Sequence, residues 1–369
     1  MALTRAFLNG IRYDETRGGV NQTNRTPIVI NGDMKIQQRG DQTGVSSAQY
    51  VNADRFFINA DNLGAYSFTS STDTPGFGFS KSMKIDCTTA DGSPASNDSL
   101  YLSMQTEGQN LQMMRKGTAS AKTSTVAFWV KSNKTGNFTC ELWDRTNDRS
   151  VGKLVNIASA DTWEKKIVNF PADTTGAIGN DNARSVMLSW FLDCGSNFKG
   201  GTLNTTWASR SDTNRAVGNT LAFGDSTDNE FLITGVQWEM GTYDSETMPP
   251  FQFEDVGISL ARCQRYYFRQ GDEGGFGALG SGVCENTSSA YILINLPTTM
   301  RTSPSASFTG NITLFDGDTF NTSSSIGSTQ KGTDCVRLSV TANSSVANGH
   351  GAVLHVENSS SFVEFSSEL

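Results

Sequence analysis

No stretch of this chain keeps apolar residues at helical spacing for more than about three turns; apolar and polar residues instead alternate in short runs cut by turn residues. In Thr125-Val-Ala-Phe-Trp-Val-Lys131, period two puts Val126, Phe128 and Val130 on one face. In the run from Glu230 to Glu239, one face carries Leu232 and then, through a slip at Gly235, Val236 and Trp238. Similar runs fall at Arg55–Ile58, Ser82–Cys87, Ser99–Met104, Phe138–Arg145, Glu164–Phe170 and Ser185–Leu192, with turn signals such as Asp91-Gly92 and Gly218-Asn219 between them. Many short strands joined by turns predict an all-β chain, a jelly-roll β-sandwich. Composition agrees: charged residues are 18% of the 369, against a usual value of about 25%, while Gly alone contributes 36. Such a chain is a poor candidate for a coiled coil or helical bundle. Its apolar runs fall far short of the roughly 18 residues that insertion into a membrane as a helix requires.

The pattern divides the chain into three parts. Residues 1–27 are polar and read as an extended N-terminal arm, suited to attachment to a partner. Residues 28–257 hold the jelly roll, ending near Met248-Pro-Pro-Phe251, where paired prolines mark a strand exit. Residues 258–369 form a smaller C-terminal β domain. It opens on a helical stretch, Gly257 to Arg262, and strand patterning resumes at Cys263-Gln-Arg-Tyr-Tyr-Phe-Arg269. Later strands are expected at Ala290–Leu296, Ser305–Phe308, Ile312–Phe315, Cys335–Val340, Val353–Glu357 and Phe362–Phe365.

With 29 Lys and Arg against 37 Asp and Glu, the net charge is −8, and no basic stripe offers a nucleic-acid footprint. The six cysteines are spread one per strand-like run, without a CxxC, and are expected to be buried thiols. Met1 to Gly10 lacks the apolar core of a signal peptide, which implies synthesis in a reducing cytoplasm.

Chemical motifs are sparse. Gly275-Phe-Gly-Ala-Leu-Gly280 matches GxGxxG, but the residues that follow are not helical, so it reads as a glycine-rich loop or hairpin and not as a dinucleotide site. The two histidines, His350 and His355, lie on one strand-like run without a nucleophile elbow. Glycoside hydrolysis needs only two carboxylates, and Glu230, Glu239, Asp144 and Asp193 are strand-borne candidates whose simpler reading is strand-face charge. No cofactor is implied; the acidic loop from Asp225 to Glu230 could hold Ca²⁺, though its spacing is not that of an EF-hand. No catalytic residue is expected.

Aromatic residues are the better functional signal, because flat rings stack on sugars. Of the six tryptophans, Trp143 and Trp190 read by period as core. Trp163 and Trp207 lie next to turns and are the expected carbohydrate-binding residues.

Several segments together resemble a family of tailed-bacteriophage virion proteins. They are Asn31-Gly-Asp-Met-Lys-Ile-Gln-Gln-Arg-Gly40, Tyr50-Val-Asn-Ala-Asp-Arg-Phe56, Phe231-Leu-Ile-Thr-Gly-Val-Gln-Trp-Glu-Met-Gly241 and Pro250-Phe251. Ser259-Leu-Ala-Arg-Cys-Gln-Arg-Tyr-Tyr267, Leu296-Pro-Thr-Thr-Met-Arg-Thr-Ser-Pro304 and the ending Phe362-Val-Glu-Phe-Ser-Ser-Glu-Leu369 complete the series. Their order and spacing follow the family from about residue 28 to 369, with Trp238 and Thr298 as departures. The resemblance implies a jelly roll similar to carbohydrate-binding modules, a small β domain after it, and a homotrimer placed in the virion. It implies no catalytic residues. It fits a tail fibre that binds host surface glycans, with a head fibre or capsid decoration protein as the alternative and a glycan depolymerase as a lesser one.

Overall fold

The computed structural model describes residues 13–14, 19–20, 26–271 and 277–369. Apart from the short antiparallel pair β1 (Tyr13–Asp14) and β2 (Gly19–Val20), the expected arm at 1–27 lies almost wholly outside the described residues. Thirteen strands follow, from β3 to β15. They are β3 (Gln42–Val45), β4 (Gln49–Tyr50), β5 (Phe56–Asp61), β6 (Ala65–Ser71), β7 (Ser82–Thr89), β8 (Ser99–Glu107), β9 (Ser124–Ser132), β10 (Gly136–Asp144), β11 (Arg149–Ile157), β12 (Glu164–Phe170), β13 (Arg184–Cys194), β14 (Ala208–Ser209) and β15 (Glu230–Met240). They form a seven-stranded sheet, β14-β11-β10-β13-β8-β5-β4, and a six-stranded sheet, β12-β9-β15-β7-β6-β3. The sheets stack as a jelly-roll sandwich around one core that contains Phe56, Phe68, Phe128, Phe138, Trp190, Phe231 and Trp238.

Period two holds where the sequence predicts it. Val126, Phe128 and Val130 are fully buried, and Trp190 is core. In β15 the phase before Gly235 is opposite to the expected one. Phe231 and Ile233 face the core, while Leu232 sits opposite Lys84 and Lys131 on the outward face. The bulge between Thr234 and Gln237 then resets the phase, so that Val236 and Trp238 turn inward. Trp143 also departs from expectation. It lies on the outward face of β10, because its neighbour Leu142 takes the inward position.

The C-terminal unit begins with α1 (Val256–Gln264), capped by the Asp255 carboxylate accepting from the Gly257 and Ile258 N–H groups. The helix takes up Cys263, so the strand expected from that residue starts later. That strand is β16 (Tyr267–Gly271), and it pairs in a small sheet with β24 (Phe362–Ser366) and β19 (Ser305–Thr309) in the order β16-β24-β19. The other six strands are β17 (Ala278–Cys284), β18 (Ser289–Asn295), β20 (Ile312–Phe315), β21 (Phe320–Lys331), β22 (Cys335–Ala342) and β23 (Gly351–Val356). They close a barrel, which leaves no free sheet edge. The barrel is filled by Ile292, Ile294, Leu314, Leu338, Val340 and Leu354. Five cysteines are buried, Cys335 is partly so, and none is in a disulfide.

A polar joint ties the two units together. Arg55 is buried, its guanidinium 3.4 Å over the Tyr266 ring, donating to the Gln105 carbonyl at 2.9 Å and to Glu368 at the far end of the chain. Arg39 pairs with Glu368 at 3.1 Å and lies 3.6 Å over Tyr267. Arg265 grips Glu107 with two bonds of 2.8 and 2.9 Å, and Arg301 donates to the Ser367 and Glu368 carbonyls at 2.8 Å each. Gly32 docks on β15: its carbonyl accepts from the Val236 N–H at 2.9 Å, and a Cβ there would fall 2.1 Å from the Val236 carbonyl oxygen. These contacts join residues from six of the segments singled out in the sequence. Those segments therefore specify how the sandwich seats on the barrel unit.

Candidate functional site

With the motif residues engaged in the joint, the outward sheet faces remain. On the six-stranded sheet, the loop between β6 and β7 folds back over the strands. Its tip, Gly76-Phe77-Gly78, has positive φ at all three residues, 81°, 52° and 90°. Glycines accept this readily and Phe does not, so the conformation at Phe77 is held by its surroundings. The Ser82 hydroxyl donates to the Asp73 carbonyl, and the Thr74 hydroxyl to the Phe79 carbonyl. Phe79 packs between Phe251 and Phe253, with ring centroids 5.0 Å away in each case.

So anchored, the loop stacks Phe77 on Trp129 of β9, with centroids 5.3 Å apart and planes within 19°. Phe77 is nevertheless 76% exposed. Gly235 makes room for this arrangement, since a Cβ there would lie 2.7 Å from Phe79 and 3.0 Å from Trp129. Trp163, half-buried at the start of β12, extends the shelf. Its indole N–H donates to Asp73 at 2.8 Å, and Lys131 pairs with the other oxygen of that carboxylate at 2.7 Å. The Lys131 hydrogen bond holds the Asp73 carboxyl below the usual range against the opposing effect of burial, with the Trp163 hydrogen bond adding to it. The result is an aromatic shelf edged by fixed polar groups, able to stack a sugar ring and hydrogen-bond its hydroxyls.

The other predicted tryptophan is placed differently. Trp207 is only 9% exposed, under the Lys116 ammonium at 4.9 Å, with its N–H donated to the Pro171 carbonyl at 2.9 Å. The turn beside it folds over the sandwich edge and turns the indole inward, so it offers no open ring. Trp129 and Phe77 were missed by the sequence reading. The visible signal was the outward phase of Trp129 between Phe128 and Val130, whereas the fold of the Phe77 loop has no local signature.

The four strand carboxylates weighed for hydrolysis are distributed, not gathered. Asp144 is buried against Lys116 at 2.5 Å, and Asp193 accepts the Gly224 and Cys194 N–H groups. Glu230 pairs with Lys84 at 2.7 Å, and Glu239 lies farther along β15. Asp225 of the acidic loop is paired with Lys134 and accepts from Asn229. Among the described residues no group of three metal-ligating side chains occurs. His355 lies in β23 opposite Ala278 and Thr313, and His350 precedes it, with Nδ1 3.3 Å from the Asp316 carbonyl. Gly280 of the glycine-rich motif belongs to β17, whereas Gly275 and Phe276 lie outside the described residues.

No protein-family model matches the chain, and no curated protein does. Among solved structures, the chain is similar to the enzymatically active domain of tailspike protein 4 of bacteriophage CBA120. That match has 11% identity and TM-score 0.30, covering 58% of this chain but only 21% of the tailspike chain. It is similar also to the CBM22-1 xylan-binding domain of Paenibacillus barcinonensis Xyn10C, with 8% identity and TM-score 0.27, over 59% of this chain and 97% of that one. A third is the family 11 carbohydrate-binding module of a Clostridium thermocellum cellulase, with 8% identity and TM-score 0.27, over 59% and 96%. These likenesses fall on the all-β jelly-roll architecture that the sheet order already displays.

Proposed function

We propose that this protein is a non-enzymatic structural component of a tailed-phage virion, of fibre type, whose sandwich binds host surface glycans on the Phe77–Trp129–Trp163 shelf. The observation that carries the binding reading is Phe77. A large ring is kept 76% exposed in a left-handed backbone conformation by a loop anchored at both ends. A fold has no reason of its own to maintain such an arrangement, and a stacking site does. The virion part is supported by the ordered series of segments that resemble those of virion proteins, which meet in one structural joint. Binding without cleavage is supported by the carboxylates, which act as structural acceptors and ion-pair partners.

In this reading residues 1–27 attach the protein to the particle, and three copies associate, covering open sandwich edges such as β12. Three measurements test it. Light scattering is expected to give three chains per particle. A panel of host surface glycans is expected to bind wild-type protein and to be released uncleaved. Antibody against residues 258–369, viewed on intact virions, is expected to label the tail. Label over the head would instead favour the decoration role, and unlabelled virions would remove the virion reading.

A further inference from the structure

The outward face of the seven-stranded sheet carries a second constellation. Trp143 of β10 has the Arg145 and Arg210 guanidinium carbons each 4.0 Å from its ring centroid, and that of Arg215 at 4.9 Å. Tyr101 of β8 lies beside them, its ring 5.3 Å from Arg215 and 4.8 Å from Phe191. Arg184 starts β13 next to Ser185, whose carbonyl accepts the Arg145 backbone N–H, which brings a fourth cation close enough for its charge to act on Arg145.

The charges do not cancel. Arg215 is neutralised by Glu141, with three contacts of 2.7 to 3.1 Å between buried side chains. Arg210 pairs with the exposed Asp212. Among the described residues, the Arg145 and Arg184 guanidiniums have neither an ion pair nor a hydrogen bond. Burial and then the neighbouring Arg184, Arg210 and Arg215 charges depress the Arg145 pKa, the signature of cations crowded without counter-charge. Among the described residues, the indole N–H of Trp143 and the Nε of Arg210 are buried donors without acceptors. Four guanidiniums against two carboxylates thus leave an excess of two positive charges on one patch of a chain whose net charge is −8.

A guanidinium stacked on an aromatic face keeps its N–H edge free for in-plane, bidentate recognition of an oxyanion. We propose that Arg145 and Arg210, stacked on Trp143 beside Tyr101, form with the neighbouring Arg184 an oxyanion site that takes an acidic glycan. The oxyanion site stands on this geometry alone; that a sugar carries the anion rests on the glycan-binding reading. The site is on the opposite sheet from the Phe77 shelf, so the two are separable. A carboxylate and a phosphate share the required chemistry.

Titration calorimetry at low salt on the full-length protein would use polygalacturonate, poly(glycerol phosphate) and neutral dextran. At least one anionic polymer is expected to bind, with dextran giving no signal at this site. Arg145→Gln and Arg184→Gln are each expected to weaken that binding about tenfold, with unchanged melting temperature. Raising the salt is expected to weaken it further. Which polymer binds distinguishes a carboxylate site from a phosphate site. Absence of binding by both anionic polymers overturns the proposal, as does affinity unchanged in both variants. Phe77→Ala separates the two readings, since it is expected to leave anionic binding intact even if the aromatic shelf binds nothing.

Discussion

Arg55 and Glu368 form an ion pair across 313 residues of sequence, between the entry of the sandwich and the penultimate residue of the chain. Arg55 is 1% exposed and holds φ at +74°, an unfavourable conformation for a long side chain that the joint must stabilise. Removing one member of a buried pair strands the other charge. Glu368→Gln is therefore expected to destabilise the protein by about 3–5 kcal/mol in chemical denaturation. It should also separate the unfolding of the sandwich from that of the barrel unit in calorimetry. A single unchanged transition would show that the joint does not couple them.

Lys116 is a second buried charge, held by Asp144 at 2.5 Å and Asp173 at 2.9 Å inside the sandwich. Lys116→Met would leave two buried carboxylates without their shared ammonium, Asp173 keeping Arg149 and Thr175 and Asp144 keeping only neutral N–H donors from Thr146 and Asn147. A loss of about 3–5 kcal/mol is expected from denaturant midpoints. Lys116→Met combined with Asp144→Leu is expected to recover part of it, because the isolated carboxylate is then gone.

Two carboxyls give stability opposite dependences on pH. Burial raises Asp173, but bonds from Arg149, Lys116 and Thr175 outweigh it and bring the pKa down to about 2. Its contribution is present above the unfolded value near 3.8 and is lost as pH falls toward 2. Asp54 is pushed up to about 6 by burial, with Arg39 and Gln38 opposing. The folded state then binds the Asp54 proton more tightly, so its contribution falls as pH rises from about 4 to about 6. Denaturation followed between pH 2 and 7 should show Asp173→Asn flattening the acid limb and Asp54→Asn flattening the next interval.

Phe77 and Trp207 should behave oppositely. Phe77 is exposed, so Phe77→Ala is expected to alter stability by no more than about 0.5 kcal/mol while reducing glycan affinity at the shelf. Trp207 is buried, so Trp207→Ala is expected to cost about 3–5 kcal/mol and to leave glycan affinity per folded molecule unchanged. Melting curves and titration of the two variants decide this pair.

Gly235 links the fold to the shelf. Its φ is +63°, and a Cβ at this position would lie 2.7 Å from Phe79, so Gly235→Ala meets both backbone strain and a ring. A loss of about 1–3 kcal/mol is expected, together with quenching changes in the fluorescence of Trp129 as its stack with Phe77 loosens.

The strands were legible where burial is one-sided. Val126, Phe128 and Val130 alternate with outward residues, and Glu164–Phe170 and Ile312–Phe315 form strands over the expected spans. The helix at Val256–Gln264 was legible from its small and aliphatic residues. Strand β21 (Phe320–Lys331) was not, because Asn, Thr, Ser and Gly fill most of it and Ile326 is its only aliphatic side chain. Its pairing with β20 and β22, not its own pattern, makes it a strand. The site was half legible: Trp163 lies on the shelf, while Trp207 is folded inward and Trp143 outward.

Local sequence by itself determined the all-β class, most of the strand positions and the buried thiols, since period-two alternation and turn residues act over a few neighbours. Tertiary structure alone decided the rest. The phase of β15 depended on a bulge, the barrel on edges that only closure could satisfy, and the shelf on a loop returning to Trp129. The Arg55–Glu368 pair and the arginines around Trp143 bring together residues far apart in sequence. Their proximity follows from packing two sheets and a barrel, and no local pattern encodes it.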